Sequence, residues 1–308
     1  MRRRALGFVF VTGVLAALLP IAPARSAPTK VSWPLSVNVK AAAGTENHVS
    51  ISYTYLQDLQ RGGTWIHLVS DAAGVTTVVT EPPTCRPLPL AHMRHGSWVE
   101  CPDGTSFDGE PGSTQLPPKG QGETFTIFLG DLNDTFAGDS VGEFRVRGGP
   151  GRDLMAGGRE PSIVPAMEDE PRVMYWPEDF LQGDSGNDVL AGREGPDNIW
   201  GGPGADYLEG GPLGVPVGEE SPGFNTGKDD NLSGGPGNDK IDAFAHDRDA
   251  AIVCGPGRRD RAWIDKIDPK PRGCEIVKRR APRRSELRDV IDVLCKLGNV
   301  CDAARRAG

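Results

Sequence analysis

Gly183-Asp-Ser-Gly-Asn-Asp188-Val-Leu190-Ala191, Gly192-Arg-Glu-Gly-Pro-Asp197-Asn-Ile199-Trp200 and Gly201-Gly-Pro-Gly-Ala-Asp206-Tyr-Leu208-Glu209 follow one another without a gap. In a nine-residue frame each has glycine at positions one and four, aspartate at six and an aliphatic residue at eight. Gly148-Gly-Pro-Gly-Arg-Asp153-Leu-Met155-Ala156 repeats the frame before them, and Gly234-Gly-Pro-Gly-Asn-Asp239-Lys-Ile241-Asp242 repeats it after them. A short fixed period of this kind indicates a coiled β architecture whose turns bind calcium.

Each position has a physical reason. Glycine at one, two and four lets the backbone reach positive φ, and the lack of side chains lets loop carbonyls converge on a cation. Aspartate at six supplies a hard anionic oxygen, and calcium takes six to eight oxygens at about 2.3–2.6 Å. Position eight points inward from a very short strand, so Leu190, Ile199, Leu208 and Ile241 are expected to stack. Two nonapeptides make one coil with a loop on each side, so repeats i and i+2 are neighbours on one edge. A metal between them would be shared by Asp188 and Asp206. Carboxylates stacked at about 4.8 Å repel by roughly 3.5 kcal/mol per pair at an effective dielectric of 20, a term that bound calcium reverses. The region is therefore expected to be loose without calcium and ordered with it.

These residues resemble the nonapeptide repeats of the RTX (hemolysin-type calcium-binding) family. The resemblance implies a parallel β-roll, with calcium held by loop carbonyls such as those of Gly183, Gly192 and Gly201 and by the position-six aspartates. Carried over position by position, the ligands are Asp134, Asp153, Asp188, Asp197, Asp206, Asp230 and Asp239, with Asp188, Asp197 and Asp206 in the best-formed loops. Several copies depart from the pattern. Leu129-Gly-Asp-Leu-Asn-Asp134-Thr-Phe136 has leucine at position four, and Asn225-Thr-Gly-Lys-Asp-Asp230-Asn-Leu232 has lysine there. Gly157-Gly-Arg-Glu-Pro-Ser162-Ile-Val164 reads as a copy that has lost its aspartate. Asp179-Phe-Leu181 keeps the Asp-x-apolar ending. The stretch from Ala251 through Val253-Cys254-Gly-Pro-Gly and Asp260 to Cys274-Glu275 looks like the terminal coil of secreted actinobacterial calcium-binding proteins of this kind.

The remainder sets the context for an all-β chain of 308 residues. Met1-Arg-Arg-Arg4, an apolar run from Ala5 to Ala22 and small residues near Ala24 to Ala27 read as a secretory signal over 1–27, and no other segment is apolar enough to span a membrane. Residues 28–124 carry period-two alternation, as in Leu35 to Val39 and Val49 to Tyr53, and are expected to form a β-rich domain capping the roll. The roll is placed at 125–252 with loop insertions at 158–180 and 210–224, a terminal cap at 253–277 and a basic tail at 278–308. Leu287, Ile291 and Leu294 give that tail a short helix, stopped by Gly298. Six cysteines form three close pairs, Cys85/Cys101, Cys254/Cys274 and Cys295/Cys301, and proximity in an exported chain suggests local disulfides among the fifteen pairings that are open.

Net charge is −8 and the acid concentrates in the repeats, which argues for a cation ligand and against nucleic acid. Basic residues at Arg145–Arg152 and Lys278–Arg284 offset this only slightly; the second patch is a candidate contact for anionic cell-wall polymers or lipid, or simply solvated charge. Catalytic motifs fail one by one. Gly183-Asp-Ser185-Gly echoes a serine-protease motif, but Asn187 replaces the next glycine and the segment sits in the repeat frame. His92-x-x-His95 lacks HExxH context, the glycine-rich loops hold an aspartate that repels phosphate, and Asp229-Asp230-Asn231 lacks the closing glutamate of an EF-hand. The expected protein is an extracellular calcium-binding β-roll acting as a structural or interaction module without chemistry of its own. The alternatives are a cell-surface adhesion or wall-associated protein and a secreted hydrolase with an N-terminal active site.

Overall fold

The structure, a computed structural model, describes residues 29–32, 36–41, 43–58, 62–71, 75–78, 86–87, 97–102, 124–139, 142–158, 162–164, 173–175, 178–211, 229–245 and 248–288. Within these the chain is almost entirely strand, and the repeats coil into two parallel sheets lying face to face, as expected for a β-roll. Successive strands alternate between the sheets. One sheet stacks Thr124–Phe128, Glu143–Pro150, Phe180–Ser185, Asn198–Trp200, Asn231–Ser233 and Ala251–Val253 in that order. The other stacks Thr135–Asp139, Leu154–Ala156, Val189–Ala191, Tyr207–Glu209, Lys240–Ala243, Arg261–Ile264 and Ile276–Lys278.

Register follows from the single apolar residue at position eight. A strand has period two, so one inward side chain per strand fixes which face is buried. Val39, Ile127, Val146, Leu181, Ile199, Leu232 and Ile252 lie opposite one another down the first sheet. Val49, Phe136, Met155, Leu190, Leu208, Ile241 and Ala262 do so down the second. All fourteen are buried. Each aliphatic rung contributes roughly 1.5–3 kcal/mol on burial.

The coiled stack does not stop at Thr124. Ser36–Lys40 pairs in parallel with Thr124–Phe128, and His48–Asp58 pairs in parallel with Thr135–Asp139, adding a coil on the N-terminal side. Beyond that coil the pairing is mixed: Thr29–Ser32 pairs antiparallel with Ser36–Lys40 and parallel with Val75–Val78, and Gly62–Asp71 bridges His48–Asp58 to Ser97–Pro102 in antiparallel fashion.

The outer faces of the two sheets differ. On the second, Leu154, Ala156, Val189, Ala191, Tyr207 and Trp263 form a separate buried cluster that Leu287 joins from the C-terminal segment. On the first, Phe128 and Trp200 stay exposed, and Trp200 stacks on Phe180 with ring centroids 6.3 Å apart. Cys254 and Cys274 are disulfide-bonded, closing the last coil.

A short 3₁₀ turn, Arg284–Glu286, starts the tail, and the bulk of the expected helix lies outside the described residues. So do the expected signal segment and Cys85, Cys295 and Cys301. Among the described residues no helix is long and apolar enough to cross a membrane.

Candidate metal centre

The loops between strands line two edges of the roll, and on each edge the position-six residues stack. Along the first edge every such residue donates its backbone N–H to Oδ1 of the next aspartate. Asn47 donates to Asp134 at 2.7 Å, Asp134 to Asp153 at 2.9 Å and Asp153 to Asp188 at 2.8 Å. Asp188 then donates to Asp206 at 2.8 Å, Asp206 to Asp239 at 2.9 Å and Asp239 to Asp260 at 2.8 Å. Glu275 ends the series by accepting from the Asp260 N–H at 2.8 Å. Asp188 and Asp206 are thus neighbours, as the i, i+2 rule requires. Asp134, Asp153 and Asp239, in loops that read as flanking copies, sit in the same geometry.

The second edge holds Asp179, Asp197 and Asp230. Phe144 N–H donates to Asp179 at 2.8 Å, Asp179 to Asp197 at 3.0 Å and Asp197 to Asp230 at 2.7 Å. Further along, Asp249 N–H donates to Asp268 at 3.3 Å. Here the sequence reading of residues 157–164 needs correction. The loop opened at Gly157 has not lost its aspartate, because Asp179 closes it: Gly158 N–H donates to Asp179 Oδ2 at 2.7 Å. Ser162–Val164 pairs antiparallel with Val173–Tyr175 as a hairpin inside the insertion, not as a coil. Asp230 likewise closes the loop opened at Gly210, where a Cβ would stand 2.5 Å from Asp230 Oδ2. Both insertions therefore leave from the second edge, and the repeat loops of the first edge are uninterrupted.

The second carboxylate oxygens define the candidate site. Oδ2 of Asp153, Asp188, Asp206, Asp239 and Asp260, and of Asp197 on the other edge, is buried and accepts no hydrogen bond. Those of Asp153, Asp188, Asp197, Asp206 and Asp239 each aim at the glycine opening their own loop, where a carbonyl of the next coil also arrives, whereas Asp260 Oδ2 lies against Gly257. A Cβ on Gly234 would stand 2.6 Å from Asp239 Oδ2 and 2.7 Å from the Cys254 carbonyl. A Cβ on Gly201 would overlap Asp206 Oδ2 and lie 2.6 Å from the Gly234 carbonyl; one on Gly183 would meet Asp188 Oδ2 and lie 2.5 Å from the Gly201 carbonyl. Gly192 repeats this on the second edge, its Cβ falling against Asp197 Oδ2 and 2.8 Å from the Gly210 carbonyl. Space explains the first glycine, then, while positive φ falls at position two, at Gly149 (106°), Gly202 (106°), Gly235 (101°), Asp184 (69°) and Arg193 (77°), and in some loops also at position four, as at Gly195 (124°) and Gly186 (152°).

Two oxygens brought together with no hydrogen between them is an arrangement that wants a cation. Among the described residues no three His, Cys, Asp or Glu side chains gather as a metal cluster. Paired carboxylates completed by carbonyls form an all-oxygen set, which fits calcium and suits neither zinc nor softer metals. Burial, reinforced by neighbouring carboxylates and opposed by the backbone N–H bonds, pushes Asp153 and Asp239 up to about 7 and Asp206 to about 8. Burial also raises Asp188 to about 6, with the charge of Asp184 adding to it, and lifts Asp197 well above the ordinary carboxylate range. Without metal these carboxyls bind protons more tightly than ordinary carboxylates do, and a cation would compete with those protons.

Both basic patches are tied to acids. Arg145 pairs with Glu143 at 2.6 Å and Arg147 with Asp184 at 2.9 Å. Lys278 and Arg280 converge on Glu286, Arg280 at 2.8 Å, and their hydrogen bonds hold its carboxyl well below the usual range. Ser185 of the protease-like motif is exposed in a repeat loop, and its carbonyl accepts from Gly151 N–H at 2.8 Å. His92 and His95 lie outside the described residues.

Sequence reasoning did not assign Asn47, Asp179, Asp249, Asp260, Asp268 or Glu275 to the edges. Asp260 had a usable signal, since Cys254-Gly-Pro-Gly-Arg-Arg-Asp260 keeps the loop's second and fourth glycines, with Cys254 replacing the first and one extra arginine before the aspartate. Asn47 offered little more than Val49 two residues on.

No curated protein and no solved structure matches the chain. A family profile, the RTX calcium-binding nonapeptide repeat, matches in four copies at residues 182–212 and 224–247. The matched residues hold Asp188, Asp197, Asp206, Asp230 and Asp239, five of the stacked carboxylates. Geometry and comparison agree: this chain carries RTX repeats, and those repeats bind calcium.

Proposed function

We propose that the protein is an exported calcium-binding module whose ordered roll serves a structural or interaction role and carries no catalysis of its own. Calcium sits between consecutive coils on the first edge, held by Asp153 with Asp188, Asp188 with Asp206, and Asp206 with Asp239, and completed by the carbonyls of glycines such as Gly183, Gly201 and Gly234. On the second edge Asp197 and Asp230 form the corresponding pair around the Gly192 and Gly210 carbonyls. The observation that carries this reading is the row of buried, unpartnered Oδ2 atoms facing loop carbonyls. Export is supported by the signal-like N-terminus and by the disulfide, a bond that persists in oxidising compartments.

Isothermal titration of calcium into the full chain, beside Asp188→Ala and Asp206→Ala, tests the assignment. Each variant is expected to bind fewer ions than the parent. Unchanged stoichiometry and affinity in both would overturn the shared sites.

A further inference from the structure

The loops at the N-terminal end of the roll are built differently. In the repeats, an aspartate Oδ2 and the glycine carbonyl of the next coil face each other as two acceptors. In the first coil, Asn47 stands where the aspartate would be, stacked on Asp134 through its own N–H. Its side-chain nitrogen donates to the Leu129 carbonyl, at position one of the next coil, at 2.8 Å, and to Asp134 Oδ1 at 3.1 Å. An acceptor–acceptor contact has become a donor–acceptor contact, with Asn47 fully buried. That junction needs no cation.

The second edge reaches the same end by another route. Phe144, opposite Asp179 in the hydrogen-bond series, takes the aspartate position of its coil and packs on Phe125 and Phe136. The loop carbonyls there are met by Arg193, whose left-handed backbone (φ 77°) sits at position two of a later loop. Its guanidinium, buried with the side chain, donates to the Gly138 carbonyl at 3.1 Å and the Gly157 carbonyl at 3.0 Å. Asp179 beside it is already satisfied at both oxygens, by Phe144 N–H and Gly158 N–H. A resident guanidinium therefore occupies the carbonyl-lined space, and a divalent ion would meet a fixed positive charge and no free carboxylate.

We propose that Asn47 and Arg193 replace calcium at the N-terminal end of the roll, so that the coils spanning residues 36–51 and 124–157 are ordered without metal. The coils from Gly201 onward then acquire order from calcium by stacking on this preformed end, to which the Arg193 loop belongs. The inference rests on the calcium reading above, but the two fail separately, because calcium titration of the parent chain reports on the first alone.

Hydrogen exchange read by mass spectrometry on the full chain, in chelator and in millimolar calcium, tests the second. In chelator, amides of 36–51 and 124–157 stay protected, with the Arg193 loop held against them, while those of 201–209 and 231–243 exchange freely; in calcium all are protected. Asn47→Asp, which restores the repeat residue, binds one more calcium than the parent and loses chelator-state protection in 36–51, with calcium restoring it. Arg193→Gly lowers chelator-state protection around 135–157 by on the order of ten-fold or more, and calcium does not restore it, since Phe144 offers no carboxylate. Equal exchange of the N-terminal and repeat coils in chelator overturns the proposal, as does Asn47→Asp with unchanged stoichiometry and unchanged exchange. Should Asn47→Asp fail to fold even in calcium, the parent's chelator-state exchange pattern still decides.

Discussion

The two edges of the roll carry the same carboxylate stack at the same strand spacing, yet they are not equivalent. On the first, every repeat loop from Leu129 to Asp260 keeps its short length, and six aspartates follow one another from Asp134 to Asp260. On the second, two loops are opened by insertions, one aspartate position is held by Phe144, and Arg193 supplies a charge of its own. Strand pairing, not loop length, sets the vertical spacing of the ligands. One edge can therefore keep a continuous cation row while the other loses half of it.

Calcium removal gives the largest test of that difference. In chelator the far-UV circular dichroism of the full chain is expected to lose much of its β signal and to recover it in calcium; identical spectra would break the picture of a metal-ordered edge. Next in size comes a steric lesion on the regular edge. A Cβ on Gly204 would overlap the Gly186 carbonyl of the coil below, so Gly204→Ala should cost about 4 kcal/mol. Gly44→Ala, where a Cβ meets nothing within 4 Å and only the φ of 77° resists, should cost about 1 kcal/mol. Urea midpoints in calcium would show whether tight stacking is peculiar to the repeats.

Opening the last coil by Cys254→Ser with Cys274→Ser should cost about 3 kcal/mol for a 20-residue separation, read as a lower melting temperature with calcium present. Comparing the edges directly, Asp206→Ala disturbs the sites on both of its sides and should remove roughly two ions, whereas Asp197→Ala should remove about one. Asp197 borders Asp179, whose oxygens are already occupied. Equal losses would mean that the second edge binds as fully as the first.

Acidity sharpens the contrast further. Asp188 at about 6, Asp153 and Asp239 at about 7 and Asp206 at about 8 all lie above the unfolded value of 3.8. The folded metal-free form therefore binds protons more tightly than the unfolded chain. Its stability is fully present below the unfolded value and is lost as pH rises through 6 to 8. Calcium reverses the slope, so the denaturation midpoint should fall with pH in chelator and rise with pH in calcium. The smallest effect belongs to the surface. Arg147→Ala removes an exposed pair with Asp184 and should change stability by less than about 1 kcal/mol.

The regular edge was legible because its chemistry is local: glycine, aspartate and aliphatic residue recur within nine positions, and Asp188 with Asp206 follows by counting. The irregular edge was legible only where the frame survived. Gly157 and Asp179 belong to one loop, but the hairpin between them breaks the period, so residues 157–164 read as a damaged coil. Arg193 stands at position two, where the nine-residue frame does not mark it out. Its role depends on carbonyls from two earlier coils, which no short window contains. Asn47 lay far from any repeat in sequence, and only pairing with Thr124–Phe128 and Thr135–Asp139 brings its coil onto the stack.

The placement of both insertions on one edge has a practical reach. The residues that open and close those loops meet in the same geometry whether few or many residues separate them, as Gly192 with Asp197 and Gly157 with Asp179 both show. A peptide of any length whose ends can approach to that distance is compatible with the coil beneath it. The roll is in that sense a spine with a display side, open to grafted sequence at two fixed heights and insulated from it by the continuous row of aspartates opposite.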